Sequence, residues 1–131
     1  MFKVLLIDDD PLLVRMYQKK LENDGFEVIV ANEGKSGVIQ ATKEQPDFIL
    51  LDLLMPGGMD GVTALGHLRK IPETKDIPVA ILSALSVEVP KKTTDPALED
   101  KVVVYWQKDK YKPKQIAEMI KEYLTKGDRN G

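Results

Sequence analysis

The sequence has no cysteine among its 131 residues, and it has a single histidine and a single tryptophan. Without cysteine the chain has no disulfide, no thiolate nucleophile and no Cys-ligated zinc. Any chemistry must therefore come from carboxylates, hydroxyls, amines or His67.

A basic excess is also absent, because 19 Lys and Arg residues stand against 21 Asp and Glu residues, for a formal net charge of −2. Polyanion-binding domains normally carry a basic surplus, so we expect no direct contact with nucleic acid. The apolar run at the N-terminus stops at Asp8, which is too short for a membrane span, and it has no signal-peptide cleavage pattern. We therefore expect no membrane partner and a cytoplasmic location.

The length and composition fit one globular domain. Hydrophobic residues make up 43% of the chain and charged residues 31%, a balance that supports a folded core. We predict a single domain over residues 1–126. The polar residues 127–131 are predicted to be a disordered tail or the start of a linker.

Short apolar segments alternate with amphipathic ones along the chain. Strands are predicted at residues 3–7, 27–31, 48–51, 79–82 and 102–107. Helices are predicted from Pro11 to just before Gly25, at 35–44, at 61–70, and near the C-terminus, where Ile116 and Ile120 share a face. Residues 86–101 are predicted as an irregular fourth helix because of their prolines. The pattern indicates an α/β fold of three layers, a five-stranded parallel sheet with helices on both sides.

Polar residues follow most of the predicted strands. Asp8, Asp9 and Asp10 follow the first strand, and Asp52 follows the third. In open parallel sheets the functional residues gather at the carboxyl ends of the strands. Right-handed crossovers place the first and third strands side by side, so we expect their carboxylates to converge. Asp10 precedes Pro11 and is predicted to cap the first helix instead.

Two further polar residues follow the fourth and fifth strands, Ser83 and Lys108. Clustered carboxylates repel one another unless a cation is present, and Mg²⁺ suits a site with few carboxylates that also takes phosphoryl oxygens. A carboxylate nucleophile, a metal, a lysine and a hydroxyl form a suitable set for phosphoryl transfer.

These residues resemble the receiver domain of response regulators, the phosphoacceptor module of two-component and phosphorelay signalling. The resemblance rests on the acidic run that begins at Asp8, on Asp52 before Leu-Leu-Met-Pro, on Met-Asp-Gly ending at Gly61, and on Tyr105 three residues before Lys108. It covers almost the whole chain and implies the flavodoxin-like strand order 2-1-3-4-5.

The resemblance implies Asp52 as the phosphorylated residue. It implies Asp9 as a direct Mg²⁺ ligand, Asp8 as a ligand acting largely through metal-bound water, and the carbonyl of Leu54 as a further ligand.

The resemblance further implies that Ser83 and Lys108 contact the phosphoryl group and that Ser83 and Tyr105 form a switch pair. The implied partners are a sensor histidine kinase or histidine phosphotransfer protein, and a downstream output protein or domain. The domain would catalyse its own phosphorylation and slow dephosphorylation without being an enzyme that turns over a substrate.

Other functions stay open at this point. A degenerate receiver would act as a phosphorylation-independent interaction module, but Asp9, Asp52, Ser83 and Lys108 are all present. A haloacid-dehalogenase-like phosphatase also begins with Asp-x-Asp, but it needs a second acidic pair late in the chain. A flavin-binding module would need a phosphate loop after the first strand, where the aspartates would repel phosphate.

Overall fold

The computed structural model describes residues 1–52, 61–83, 102–107 and 112–130, with the backbone alone at Val62, Ser83, 102–107 and 126–130. The strands are β1 (Lys3–Ile7), β2 (Glu27–Ala31), β3 (Phe48–Asp52), β4 (Val79–Ser83) and β5 (Val102–Gln107). The helices are α1 (Pro11–Asn23), α2 (Gly34–Glu44), α3 (Gly61–Lys70) and α4 (Pro113–Asn130). The irregular helix predicted over residues 86–101 lies outside the described residues.

The five strands form one parallel sheet in the order β2-β1-β3-β4-β5. This confirms the predicted doubly wound α/β fold and its strand order. β1 and β3 lie in the middle of the sheet, and all five residues of β3 are buried. Continuous apolar runs suit these positions because both faces of a central parallel strand are covered by helices.

The core has two halves, one on each face of the sheet. Val4 and Leu6 of β1 pack with α1 and α4 in one cluster, which also contains Leu21 and Ile120. Leu5 of β1 packs on the opposite face, in the cluster that includes residues of α2 and α3. Alternate residues of a strand point to opposite faces, so one short strand contributes to both halves of the core.

The ends of α1 are defined by their local chemistry. Asp10 is the N-cap, and its Oδ1 accepts hydrogen bonds from the backbone N–H groups of Leu12 at 3.1 Å and Leu13 at 3.3 Å. The predicted capping role is therefore confirmed. Gly25 follows the helix with a φ of 95°, a left-handed conformation that glycine adopts without strain.

The C-terminal helix α4 ends at Asn130. We predicted a disordered tail or the start of a linker over 127–131, and the limit of the domain at residue 126 stays a prediction. Adding a turn to an existing helix needs no new nucleation, and a single glycine lowers helix propensity by only about 1 kcal/mol. The polar composition of the tail is therefore compatible with a last helical turn.

The connection between α3 and β4 is held by side chains that bond to backbone carbonyls. The buried Thr74 hydroxyl donates to the carbonyl of Leu68 at 2.6 Å. The Arg69 guanidinium donates to the carbonyls of Lys75 at 2.8 Å and Ile77 at 2.9 Å. Burial lowers the pKa of Arg69 to about 10, so the group is still a cation near neutral pH. These bonds fix where β4 enters the sheet.

No helix in the described part of the chain is long and apolar enough to cross a membrane.

Gly37 of α2 packs closely against Ile7 of β1, and this contact predicts how a larger residue at position 37 changes the stability. A Cβ built on Gly37 would lie 2.5 to 2.9 Å from three side-chain atoms of Ile7, which is fully buried. Gly37→Ala should therefore lower the free energy of unfolding by about 1 to 3 kcal/mol, because overpacking outweighs the better helix propensity of alanine. Urea denaturation measures the change.

Gly66 in α3 provides the matched control, since a Cβ there meets nothing within 4 Å. Gly66→Ala should leave the stability unchanged or raise it by up to about 1 kcal/mol. Equal effects of the two substitutions would contradict the packing argument.

Candidate metal centre

The pairing of β1 with β3 brings two aspartates close together at the carboxyl end of the sheet. Ile7 pairs with Leu51, and the next residue of each segment is an aspartate, Asp8 and Asp52 respectively. Asp52 is the last residue of β3, one residue beyond the predicted strand end. Both side chains are nearly fully buried, with Asp8 1% exposed and Asp52 5% exposed.

A third carboxylate completes the cluster. Oxygen atoms of Asp8, Asp9 and Asp52 all lie within 4.8 Å of one another, and Asp9 is exposed. Three like charges at this separation repel one another, and burial of two of them limits screening by water. Hard oxygen donors in this number are the ligands of a divalent cation such as Mg²⁺ or Ca²⁺. The donor set therefore fits a metal ion, and it could hold one.

The backbone orients Asp8 toward this cluster. The N–H of Asp10 donates to Asp8 Oδ1 at 3.0 Å, and the N–H of Asp8 itself donates to the carbonyl of Ala31 at 3.1 Å. Asp10, in contrast, uses its own side chain to cap α1. The acidic run thus splits into two metal-site carboxylates and one helix cap.

Tyr17 of α1 lies in the core near the acidic cluster. Its side chain is 2% exposed. Burial, and secondly the negative charge of Asp8, raise the pKa of Tyr17 to about 12. The spacing of Val14, Tyr17 and Leu21 along the sequence places Tyr17 on the apolar face of α1, but it gives no sign of this electrostatic link, because the link depends on tertiary packing.

A cavity of about 420 Å³ continues the site toward β2. Asp8 and Asp9 line one side of it, and the polar residues Arg15, Gln18 and Asn32 line it as well. Sequence reasoning missed Asn32, although the signal was present, since Asn32 follows β2 and β2 pairs with β1. The expectation that polar residues at the carboxyl ends of the strands form the site therefore holds for β2 as well.

The other predicted site residues come from β4, β5 and the loops. Ser83 is the last residue of β4, and Leu82 before it pairs with Asp52. Tyr105 pairs with Ile81 through the backbone of β5, and Gln107 pairs with Ser83. Lys108 and Leu54 lie outside the described residues.

The fold is doubly wound and parallel, and its carboxylate cluster lies at the carboxyl ends of the strands. These two features define a class of α/β domain whose site lies at that end of the sheet. Comparison with known families makes the class specific. The family model described as the response regulator receiver domain matches residues 4–125. The chain therefore belongs to the receiver domains of two-component response regulators, a family whose members typically bind a metal ion. This membership decides against the phosphatase and flavin-binding alternatives.

Individual relatives agree with this assignment. The chain is 37% identical over 91 residues to Protein PilH of Pseudomonas aeruginosa, an alignment that covers 70% of this chain and 74% of PilH. It is 40% identical over 83 residues to response regulator PleD of Caulobacter vibrioides, which covers 63% of this chain. The alignment spans only 18% of the length of PleD.

Solved structures show the same fold. The receiver domain of the Francisella response regulator 1452 is 28% identical, with a TM-score of 0.81, and the match covers 97% of this chain and 99% of that one. A putative response regulator from Chloroflexus aurantiacus is 29% identical, with a TM-score of 0.79, covering 95% and 98% of the two chains.

The carboxylate cluster predicts how the metal ion affects stability. Mg²⁺ that binds only the folded state should raise the free energy of unfolding, by about 2.7 kcal/mol when the free ion is about 100 times its Kd. Asp9→Ala should remove this stabilisation. Without Mg²⁺ the variant should be as stable as the wild type or more stable, because one repelling charge is gone. Thermal unfolding with and without Mg²⁺ measures both effects.

Asp10→Asn is the control, because asparagine keeps the capping oxygen and Asp10 is outside the cluster. It should retain the response to Mg²⁺. A stability loss in Asp9→Ala with unchanged Mg²⁺ binding would make the acidic cluster a structural feature and not a metal site.

The buried tyrosine predicts a pH dependence. The folded state holds the Tyr17 proton more tightly than the unfolded state, since the pKa rises from 10.0 to about 12. Its contribution to stability is therefore fully present below pH 10 and falls as the pH rises through about 12. In Tyr17→Phe the unfolding free energy should fall less steeply across this interval than in the wild type. Urea denaturation at stepped pH measures the slopes, and equal slopes would contradict the assignment.

Proposed function

We propose that this receiver domain accepts a phosphoryl group on Asp52 from the phosphohistidine of a sensor histidine kinase or a histidine phosphotransfer protein. The observation that carries the proposal is the position of Asp52, buried at the end of β3 with Asp8 and Asp9 within 4.8 Å. A degenerate receiver is not favoured, because the carboxylates of the cluster are present and converge.

Asp8, Asp9 and Asp52 would hold Mg²⁺, together with the carbonyl of Leu54. Asp9 would be a direct ligand, and Asp8 would act largely through metal-bound water. When bound, the ion neutralises the carboxylates and the charge on the phosphoryl oxygens.

Asp52 would act as the nucleophile. One carboxylate oxygen forms a bond to phosphorus while the bond from phosphorus to the histidine nitrogen breaks, and the product is an acyl phosphate. Burial of Asp52 within β3 holds the carboxylate in one place and limits its solvation by water. Ser83 and Lys108 would contact the phosphoryl oxygens. The domain would thus catalyse its own modification and slow dephosphorylation, and it would not act as a conventional enzyme.

Ser83 and Tyr105 would report the phosphorylation. Their strands are neighbours in the sheet, with Ser83 opposite Gln107 and Tyr105 opposite Ile81. A phosphoryl group adds charge and strong acceptor oxygens at Asp52, and movement of Ser83 toward them would change the packing around Tyr105.

The recipient of the signal would be a downstream output protein or domain. The relatives include the DNA-binding dual master transcriptional regulator RpaA of Synechocystis and the phosphate regulon transcriptional regulatory protein PhoB of Escherichia coli. This chain spans 34% of RpaA and 37% of PhoB, so a separate domain or protein would carry any such output.

A small-molecule phosphodonor tests the acceptor residue. With Mg²⁺, the wild-type domain should gain the mass of one phosphoryl group, and Asp52→Asn should gain none, because an amide is not a nucleophile of this kind. Intact-mass spectrometry measures the gain. Asp10→Asn is the matched control and should be phosphorylated as readily as the wild type. Phosphorylation of Asp52→Asn at the wild-type rate would refute the proposal.

A further inference from the structure

The cavity beside the carboxylate cluster is larger than a bare metal ion requires. It has a volume of about 420 Å³, and Asp8 and Asp9 are among the residues that line it. A water molecule takes up about 30 Å³ of the liquid, so the cavity has room for several waters next to the carboxylates. Mg²⁺ dehydrates reluctantly and usually keeps several of its waters when a protein binds it. The side chains around the cavity therefore determine how such a hydration shell is held.

Asn32 is the cavity residue that the sheet places beside the cluster. β1 lies between β2 and β3, and Asp8 is the first residue beyond the paired part of β1. The residues at the corresponding position on the neighbouring strands are Asn32, after β2, and Asp52, at the end of β3. The N–H of Asp8 donates to the carbonyl of Ala31 at 3.1 Å, so the strand pairing continues to this position. Asn32 and Asp8 are therefore about one strand spacing apart, roughly 4.8 Å.

The chemistry of the lining side chains favours an amide as the partner of bound water. Water on a cation directs its lone pairs at the ion and donates hydrogen bonds outward, so its partners must be acceptors. Arg15 lines the cavity but is a donor only. Asn32 and Gln18 line it as well, and each has a carbonyl oxygen that accepts and an NH₂ group that donates. An amide can therefore bond to a water and to a carboxylate at the same time.

Of the two amides, Asn32 is the one that is close to the cluster and uncommitted. Gln18 lies seven residues beyond Pro11, the first residue of α1, which is about 10 Å along the helix axis. Its side-chain nitrogen donates to Glu22 at 3.4 Å. Asn32 is exposed, and its side chain forms no hydrogen bond with the described ranges of the chain. Its carbonyl and its NH₂ group are thus both available.

We propose that Asn32 is a positioning residue of the metal centre. Its side-chain carbonyl accepts a hydrogen bond from a water in the hydration shell of Mg²⁺, and its NH₂ group donates to the carboxylate of Asp8. Asn32 contacts the hydration shell and not the ion, and the inference rests on the proposed metal site.

This role makes Asn32 a determinant of ion preference. Mg²⁺ demands near-octahedral geometry and keeps its waters, so a bond to one of those waters contributes to its affinity. Ca²⁺ accepts more oxygen ligands in a flexible geometry, and its binding depends less on any one hydrogen-bonded water.

Two titrations of the full chain test the proposal. The dissociation constants of Mg²⁺ and Ca²⁺ are measured by isothermal titration calorimetry for the wild type and for Asn32→Ala. The Mg²⁺ constant should rise about tenfold or more, the effect usual for the loss of an outer-shell partner. The Ca²⁺ constant should rise by clearly less. The free energy of unfolding without metal should stay the same, because Asn32 is exposed and its side chain bonds to no described residue.

Gln18→Ala is the matched control, because it removes the other amide of the same cavity. It should leave both dissociation constants unchanged. Asp9→Ala should bind neither ion, and it tests the metal site independently of Asn32.

An unchanged Mg²⁺ constant in Asn32→Ala would overturn the inference, and the metal site would stand if Asp9→Ala still abolished binding. Equal weakening of Mg²⁺ and Ca²⁺ would overturn it too, because the effect would then not involve the hydration shell. So would equal effects of Asn32→Ala and Gln18→Ala. A wild-type chain that binds no Mg²⁺ would refute the proposed metal site and the inference together.

Discussion

The repulsion among three carboxylates is the constraint around which this domain is organised. Asp8 and Asp9 directly follow β1, and Asp52 ends β3; because these two strands pair in register, the sheet fixes how close the aspartates lie. Folding must supply enough favourable energy to hold these charges together, and a bound cation adds to it. The same arrangement that opposes folding is a set of oxygen donors that could hold a metal ion, as the proposed phosphoryl transfer requires.

The favourable energy comes from the apolar residues that immediately precede these aspartates. β1 and β3 each contribute to both halves of the core, on both faces of the sheet. Burial of apolar surface contributes about 25 cal/mol for each Å², so the buried strand residues together can offset the repulsion among the three carboxylates. Local hydrogen bonds then orient the aspartate side chains. The amide of Asp10 orients the carboxylate of Asp8, and the side chain of Asp10 caps α1.

Much of the fold could be predicted because each strand has a clear local signal. The apolar runs gave the strand positions, and Pro11 and Gly25 gave the limits of α1. Strand order needed the family resemblance, since pairing between distant segments has no local signature. The limit of the domain near residue 126 stays a prediction, because a polar composition predicts exposure and does not distinguish a last helical turn from a disordered tail.

The carboxylate cluster could be predicted because strand-end residues of adjacent parallel strands must lie near one another. The link between Tyr17 and Asp8 could not be predicted, because it depends on how α1 packs on the sheet.

A crystal structure of the domain with Mg²⁺ and beryllium trifluoride, a mimic of the phosphoryl group, tests the central claim most directly. The account predicts the beryllium atom bonded to a carboxylate oxygen of Asp52 and one metal ion about 2.1 Å from carboxylate oxygens of Asp9 and Asp52. Ser83 and Lys108 should contact the fluorine atoms. A metal ion bound elsewhere, or a beryllium group on a residue other than Asp52, would contradict the account.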